Sequence, residues 1–189
     1  KITNVCLQSF FHINDALNGF KEECGDLCNT VEFLNSFATA EQFCNCENVI
    51  VLEGLQVLDL FGGTGAISYE FASRGASMVY CVEMLPLHAN FIKSQAARFG
   101  MNNLTVVRHN VFEFLEICHE KFDIIFADPP YALEDLATIP DKVFAKDILH
   151  PGAYFILEHP GDYNFESHPY FIKEKKYGNV HFSFFEQPM

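Results

Sequence analysis

The sequence predicts an α/β domain of the doubly wound, Rossmann-like type with a mostly parallel sheet. Three observations carry that reading. From about residue 55 onward, apolar runs of strand length alternate with helical stretches. The run Val57-Leu58-Asp59-Leu60 passes directly into the glycine-rich Phe61-Gly62-Gly63-Thr64-Gly65 and then into a helical stretch. The next apolar run ends in a carboxylate, Glu83.

Two units follow in chain order. Residues 1–54 are expected to form a small, mainly helical appendage. Phe10, Ile13, Leu17 and Phe20 fall at helical spacing, Asn29 to Glu32 fits a capping box, and Val31, Leu34, Phe37 and Ala38 share one face. Residues 55–189 are the main domain. Its first strand is placed at Gln56–Leu60 and its first helix at Ala66–Arg74, with Ile67, Phe71 and Ala72 inward and Gly75 as the stop. Strand two follows at Met78–Val82. Pro86 suits the first turn of the next helix, whose apolar face is read as Leu87, Phe91, Ile92 and Phe99, with Gly100 at its end.

Strand three is placed at Leu104–Arg108, followed by a helix over Val111–Cys118. Strand four, Phe122–Ala127, is a continuous apolar run of the kind buried on both faces. A helix over Asp141–Leu149, a turn at Pro151-Gly152 and strand five at Ala153–Glu158 come next. Tyr170–Lys175 and Val180–Phe185 close the chain as a hairpin around Gly178-Asn179, which makes that sheet edge mixed.

Composition narrows the functional classes. A chain of 189 residues that is 49% hydrophobic, with 21 Phe, buries a sizeable core and is not disordered. Glu53 and Asp59 interrupt its richest apolar stretch, so no membrane span is expected, and a signal-peptide pattern is absent at Lys1 onward. A cytoplasmic protein is the expectation. The seven Cys follow no disulfide framework. Cys24/Cys28 and Cys44/Cys46 miss the usual zinc spacings, so reduced thiols and no metal are expected. The net charge of −13 opposes a broad nucleic-acid surface, since phosphate contacts need Lys and Arg. Any such contact requires a local patch, for which Lys173, Lys175 and Lys176, with Lys93 and Arg98, are the candidates.

The chemistry concentrates at strand ends. Glycines let backbone N–H groups approach a ligand, and a helix start adds partial positive charge. Glu83 is placed to accept hydrogen bonds from both hydroxyls of a ribose held on that turn. A dinucleotide fingerprint wants a third glycine, where this chain has Ser68. S-adenosylmethionine, which has no pyrophosphate, suits the turn better. Asp59 can receive its ammonium, and an acidic pocket suits its sulfonium. Asn110, past strand three, can bond an adenine amino group and can cap the following helix, two compatible roles.

Asp128-Pro129-Pro130-Tyr131 follows the buried fourth strand. Two prolines remove two donors, so this edge presents acceptors, which suit a planar exocyclic NH₂. Tyr131 would stack on the base and position it for in-line methyl transfer. Glu158-His159 ends strand five, with His159 in a supporting or capping role.

These motifs, together with Ser73-Arg74-Gly75-Ala76 and Phe122-Asp123, resemble the RsmD family of bacterial guanine-N2 methyltransferases acting on small-subunit ribosomal RNA. The likeness covers about residues 54–185. It implies a class I, S-adenosylmethionine-dependent fold of seven strands with an antiparallel last strand. Asp59, Gly63, Gly65, Glu83 and Asn110 would lie at the cofactor, and Phe61, Gly62, Thr64, Met84 and Val111 complete the candidate cofactor set. Asp128, Pro129, Pro130 and Tyr131 would be catalytic, receiving a flipped guanine. The implied partner is small-subunit ribosomal RNA or an assembling small subunit, met by a monomer. Relatives usually begin with a basic segment containing Arg-Pro-Thr-Thr; here the matching region, near Glu32-Phe33-Leu34-Asn35, is acidic. An adenine-N6 methyltransferase on DNA or RNA, and a cofactor-binding assembly factor without catalysis, are the alternatives.

Overall fold

The computed structural model describes residues 52–189, so the expected helical appendage lies outside the described residues apart from Leu52 to Gly54. The elements are β1 (Gln56–Asp59), α1 (Ala66–Ser73), β2 (Met78–Val82), α2 (Pro86–Arg98), β3 (Leu104–Val107), α3 (Val111–Ile117), β4 (Phe122–Ala127), α4 (Ile139–Phe144), β5 (Leu149–Pro160), β6 (Phe171–Tyr177) and β7 (Val180–Glu186). They build a seven-stranded sheet in the order β3-β2-β1-β4-β5-β7-β6. β1 to β5 run parallel, while β7 pairs antiparallel with both β5 and β6. This is the expected mostly parallel sheet with an antiparallel last strand.

The sheet has a core on each face because its central strands are apolar at nearly every position. On one face Leu58, Leu115, Ile125, Ile139, Phe155 and Phe185 pack together beneath α3 and α4. On the other, Val57, Ile67, Phe71, Ile124, Phe126 and Phe182 pack beneath α1. Phe122, Phe126, Phe155, Phe182 and Phe185 are fully buried, each worth about 1.5–3 kcal/mol relative to exposure. Edge strand β6 is polar and half-exposed, which discourages pairing with a further chain.

Three expectations need correction. The inward face of α2 is Ala89, Ile92 and Ala96, at helical spacing, while Leu87 in the first turn is 78% exposed. Small alanines bring this helix close to the sheet and leave Phe91 and Phe99 at its flanks. The helix expected at Asp141–Leu149 instead starts at Ile139, after a 3₁₀ turn at Leu136–Thr138, and ends at Phe144. Pro140 sets its first turn. Pro151-Gly152 is no turn between elements: β5 already begins at Leu149, and its pairing with β4 jumps from Phe122–Leu149 to Ile124–Tyr154. The surplus residues bulge out around Gly152, whose φ of 76° suits glycine and whose N–H donates to the Gln187 carbonyl.

Candidate active site at the carboxyl edge of the sheet

Strand order reverses between β1 and β4: β2 follows β1 on one side, and β4 lies on the other. Open α/β sheets bind ligands in the crevice at such a switch point. The turn after β1 and the turn after β4 leave the sheet side by side there. Asp59 is in register with Phe126, and the Leu60 N–H donates to the Phe126 carbonyl at 2.9 Å.

The glycine turn is glycine-rich for packing as well as for approach. A Cβ at Gly62 would stand 2.4 Å from the Cys81 sulfur. At Gly65, φ is +85°, and a Cβ would lie 2.8 Å from the Tyr69 ring. The first β-to-α passage therefore sits directly on β2 and on its own helix. The Gly62 N–H donates to Val82 of β2, and Gly65 opens α1.

Asp59 is buried at the end of β1, and Ser68 on α1 is fully buried beside it. Ser68 Oγ donates to Asp59 Oδ2 at 2.6 Å. The departure from the third glycine of a dinucleotide fingerprint thus has a use: the position supplies a hydroxyl to the carboxylate. Asp59 Oδ1 carries no hydrogen bond of ordinary geometry. Burial pushes the carboxyl from 3.8 up to about 6, opposed by the Ser68 hydroxyl and the Phe61 backbone and aided by the nearby Glu83 charge.

Glu83, 8% exposed, follows β2 and binds two loops at once. Its Oε2 accepts the Gly63 N–H at 2.8 Å, and its Oε1 accepts the Leu85 N–H at 2.6 Å. Among the described residues His88 Nδ1 lies 3.9 Å from Glu83 Oε1, and neither Asp59 nor Glu83 pairs with a Lys or Arg. Two poorly compensated carboxylates therefore flank one glycine turn. Phe61, Gly63 and Thr64 are partly open around it, and Met84 is 56% exposed beyond it.

Asn110 is the N-cap of α3. Its Oδ1 accepts from Phe112 N at 2.9 Å and Glu113 N at 3.3 Å, so the capping role is realised. Its Nδ2 lies 3.8 Å from the Met84 sulfur, bringing the loops after β2 and β3 together. Val111, the first residue of α3, is buried.

Across the crevice, Asp128 is half-buried, Pro129 buried and Pro130 exposed. The Pro130 carbonyl accepts from Leu133 N at 2.8 Å, closing the turn. Tyr131 is 38% exposed, and its hydroxyl donates to Glu158 Oε1 at 3.4 Å. Glu158 is buried in β5, making it the support beneath the prolyl turn. His159 is fully buried among Tyr163, Phe165 and His181 and stands away from the crevice as a packed side chain.

Sequence reasoning placed Asp59, the glycines, Glu83, Asn110 and the prolyl turn along one sheet edge, where the structure has them. It missed Ser68 and Cys81 as parts of the glycine turn and Glu158 as the partner of Tyr131. The serine in place of a third glycine was the available signal for the first. The candidate basic residues of β6 lie on its half-exposed edge. Lys173 and Lys175 extend over the Phe184 ring at 5.0 and 6.0 Å, and Lys176 pairs with Glu174. Phe122-Asp123 is structural, since Asp123 accepts the Gln56 N–H at 2.8 Å.

An orphaned buried carboxylate oxygen, a second carboxylate without a Lys or Arg partner and a turn in which side chains do not fit suit a ligand bearing positive charge. S-adenosylmethionine, with its ammonium and sulfonium, meets that demand. Fold and site together define a class I S-adenosylmethionine-dependent methyltransferase.

Comparison with known proteins carries this further. The family model described as Conserved hypothetical protein 95 matches residues 37–186. The chain belongs to this family, the RsmD family of methyltransferases. It is 29% identical over 132 residues to the Ribosomal RNA small subunit methyltransferase D of Buchnera aphidicola, covering 68% of this chain and 67% of that protein. A hypothetical protein of Thermus thermophilus superposes with a TM-score of 0.63 at 29% identity, over 70% of this chain and 75% of that one. The 16S rRNA N2 G1207 methyltransferase of the same organism, solved with AdoMet and guanosine, shares the fold with a TM-score of 0.60 at 23% identity, over 71% of this chain and 38% of that one.

Proposed function

We propose that this chain transfers a methyl group from S-adenosylmethionine to the exocyclic N2 amine of a guanine in small-subunit ribosomal RNA. The observation that carries the reading is the juxtaposition of two turns from neighbouring strands: the acid-flanked glycine turn after β1 and the prolyl turn after β4. Family membership and the small-subunit relative support the choice of substrate. We assign cytoplasmic action by a single chain; among the described residues no helix is long and apolar enough to cross a membrane.

The bound cofactor supplies an electrophilic methyl group on a sulfonium. In this reading Asp59 Oδ1 receives the ammonium, while the second lone pairs of Glu83 accept the ribose hydroxyls. The Asn110 amide donates to the adenine, because its oxygen is committed to the helix cap. Phe61, Gly62, Gly63, Thr64, Gly65, Met84 and Val111 line the remainder. Asp128 and the carbonyls of the prolyl turn accept the two amine hydrogens, holding the nitrogen while its lone pair leaves conjugation. Tyr131 stacks on the base. The N–C bond forms as the S–C bond breaks, and the surplus amine proton leaves through the Asp128 carboxylate to solvent.

The acceptor-only character of the prolyl turn also fits the adenine N6 amine, which keeps that reading as the second one. Labelled methyl transfer to naked ribosomal RNA, isolated small subunits and duplex DNA separates the two. The expected product is N2-methylguanosine in small-subunit RNA, with turnover down about 10²–10³-fold in Asp128→Ala and cofactor binding intact. N6-methyladenosine would move the substrate assignment to adenine. Cofactor binding without turnover on any arm would leave an assembly factor, and full activity in Asp128→Ala would remove the role assigned to that carboxylate.

A further inference from the structure

Away from the crevice, three strands at the mixed edge bring together polar side chains for which methyl transfer has no use. His159 of β5 lies directly opposite His181 of β7, and Glu174 of β6 lies opposite Ser183 of β7. Cross-strand partners share a sheet face, so these four groups converge where the rest of that face is Phe155, Leu157 and Phe185. His159 Nε2 is 4.0 Å from Glu174 Oε1, and His181 Nδ1 is 2.9 Å from the same oxygen. One ligand atom from each residue lies within 4.8 Å of the others.

The details favour ligation. His159 Nδ1 faces the Pro160 carbonyl at 2.9 Å, and a carbonyl only accepts, so the proton sits on Nδ1. Nε2 therefore presents its lone pair to the cluster. A ring N–H held by a backbone carbonyl is the usual support of a metal-bound histidine. Lys176 takes Glu174 Oε2 at 2.9 Å, leaving Oε1 toward the two rings. Phe165, with ring centroid 5.0 Å from that of His159, walls the cluster with an apolar shell. Gly161 leaves room for His181, since a Cβ there would come within 2.9 Å of its Nε2.

We propose that His159 Nε2, His181 Nδ1 and Glu174 Oε1 bind one divalent cation of the zinc class, clasping β5, β7 and β6 together; the cation takes the place of the proton that His181 Nδ1 shares with Glu174 Oε1, and the His181 ring keeps its proton on Nε2 instead. Two imidazoles and one carboxylate are a recurrent zinc donor set, and a tetrahedral site with bonds of about 2.0–2.2 Å needs ligand atoms about 3.3–3.6 Å apart. The two His–Glu separations of 4.0 and 2.9 Å lie on either side of that value, so ligation requires ring tilts and a rotation of the Glu174 carboxylate. Water or the Ser183 hydroxyl, which is 2.8 Å from His159 Nε2, completes the coordination. The clasp also fixes the end of the strand whose Glu158 supports Tyr131.

The test uses the full chain, reduced and stripped of metal, with zinc added from a buffered stock. One zinc per chain is expected, raising the unfolding midpoint by about 5–10 °C at free zinc about a hundredfold above the dissociation constant. Cobalt in its place should give tetrahedral visible bands without thiolate charge transfer, which separates this site from the seven Cys. His181→Gln and Glu174→Gln should each lose the zinc shift while still binding S-adenosylmethionine, which shows that they fold. No zinc shift in the natural chain, a shift retained in both variants, or a cobalt spectrum carrying thiolate charge transfer would each overturn the assignment.

Discussion

The two halves of the crevice are built on opposite plans. On the β1–β2 side the chemistry is sunk into the protein: Asp59 is 1% and Glu83 8% exposed, and hydrogen bonds from Ser68, Gly63 and Leu85 tie them down. On the β4 side it stands proud. Pro130 and Tyr131 face solvent, and a long hydrogen bond from Tyr131 reaches the buried Glu158. The contrast distinguishes what each half is for. In the proposed reading, a small charged molecule is enclosed and recognised by desolvated acids, where Coulomb attraction is strongest. A planar group belonging to something large is met at the rim, which suits a base swung out of a polymer.

The contrast breaks most sharply at Asp59. Its carboxyl titrates near 6 in the free protein, so cofactor affinity should fall as pH drops through that value and the anion that receives the ammonium is neutralised. Stability moves the other way. A carboxyl raised above its unfolded value contributes stability fully present below about pH 3.8 and lost as pH rises through about 6. Asp59→Asn should therefore weaken cofactor binding by about 10–10²-fold, as expected for a lost charge-assisted hydrogen bond. The same change should stabilise the free protein by up to about 3 kcal/mol at about pH 8. Calorimetric titration with thermal unfolding across about pH 5–8 checks both signs.

An effect of similar size in binding, without the change in stability, sharpens the other half. Tyr131→Ala should raise the RNA KM by about 10–10²-fold through lost stacking. Tyr131→Phe, which keeps the ring and drops the 3.4 Å bond to Glu158, should cost less than about tenfold. Steady-state kinetics on both variants read the difference, and equal losses would mean the hydroxyl, rather than the ring, matters. The smallest effect belongs to Asn110→Ala. Loss of its cap should destabilise the fold by about 1 kcal/mol, read as a lower denaturant midpoint.

Much of this was legible in the chain. β2 and β4 have their expected bounds because Met78–Val82 and Phe122–Ala127 are largely apolar runs between polar turns. The glycine turn, Glu83 and the prolyl turn could be placed because each follows such a run. Pattern reading failed where two local rules competed. Pro151-Gly152 is a strong turn signal, yet β5 passes through it by bulging, since pairing with β4 and with the Gln187 carbonyl outweighs the local preference. In α2 the weight given to large side chains pointed at Leu87, whereas close packing selected the alanines. The pairing of Glu158 with Tyr131 escaped notice because the two lie 27 positions apart in the sequence, and no periodicity encodes that meeting.

Glu83 accepts the Gly63 and Leu85 amides with one carboxylate, so the two walls of the proposed cofactor site are tied together. In the proposed reading, a change at Met84 or Leu85 should therefore also disturb the glycine turn through Glu83. An engineer seeking altered cofactor selectivity should treat residues 62–65 and 83–85 as a single mutational block.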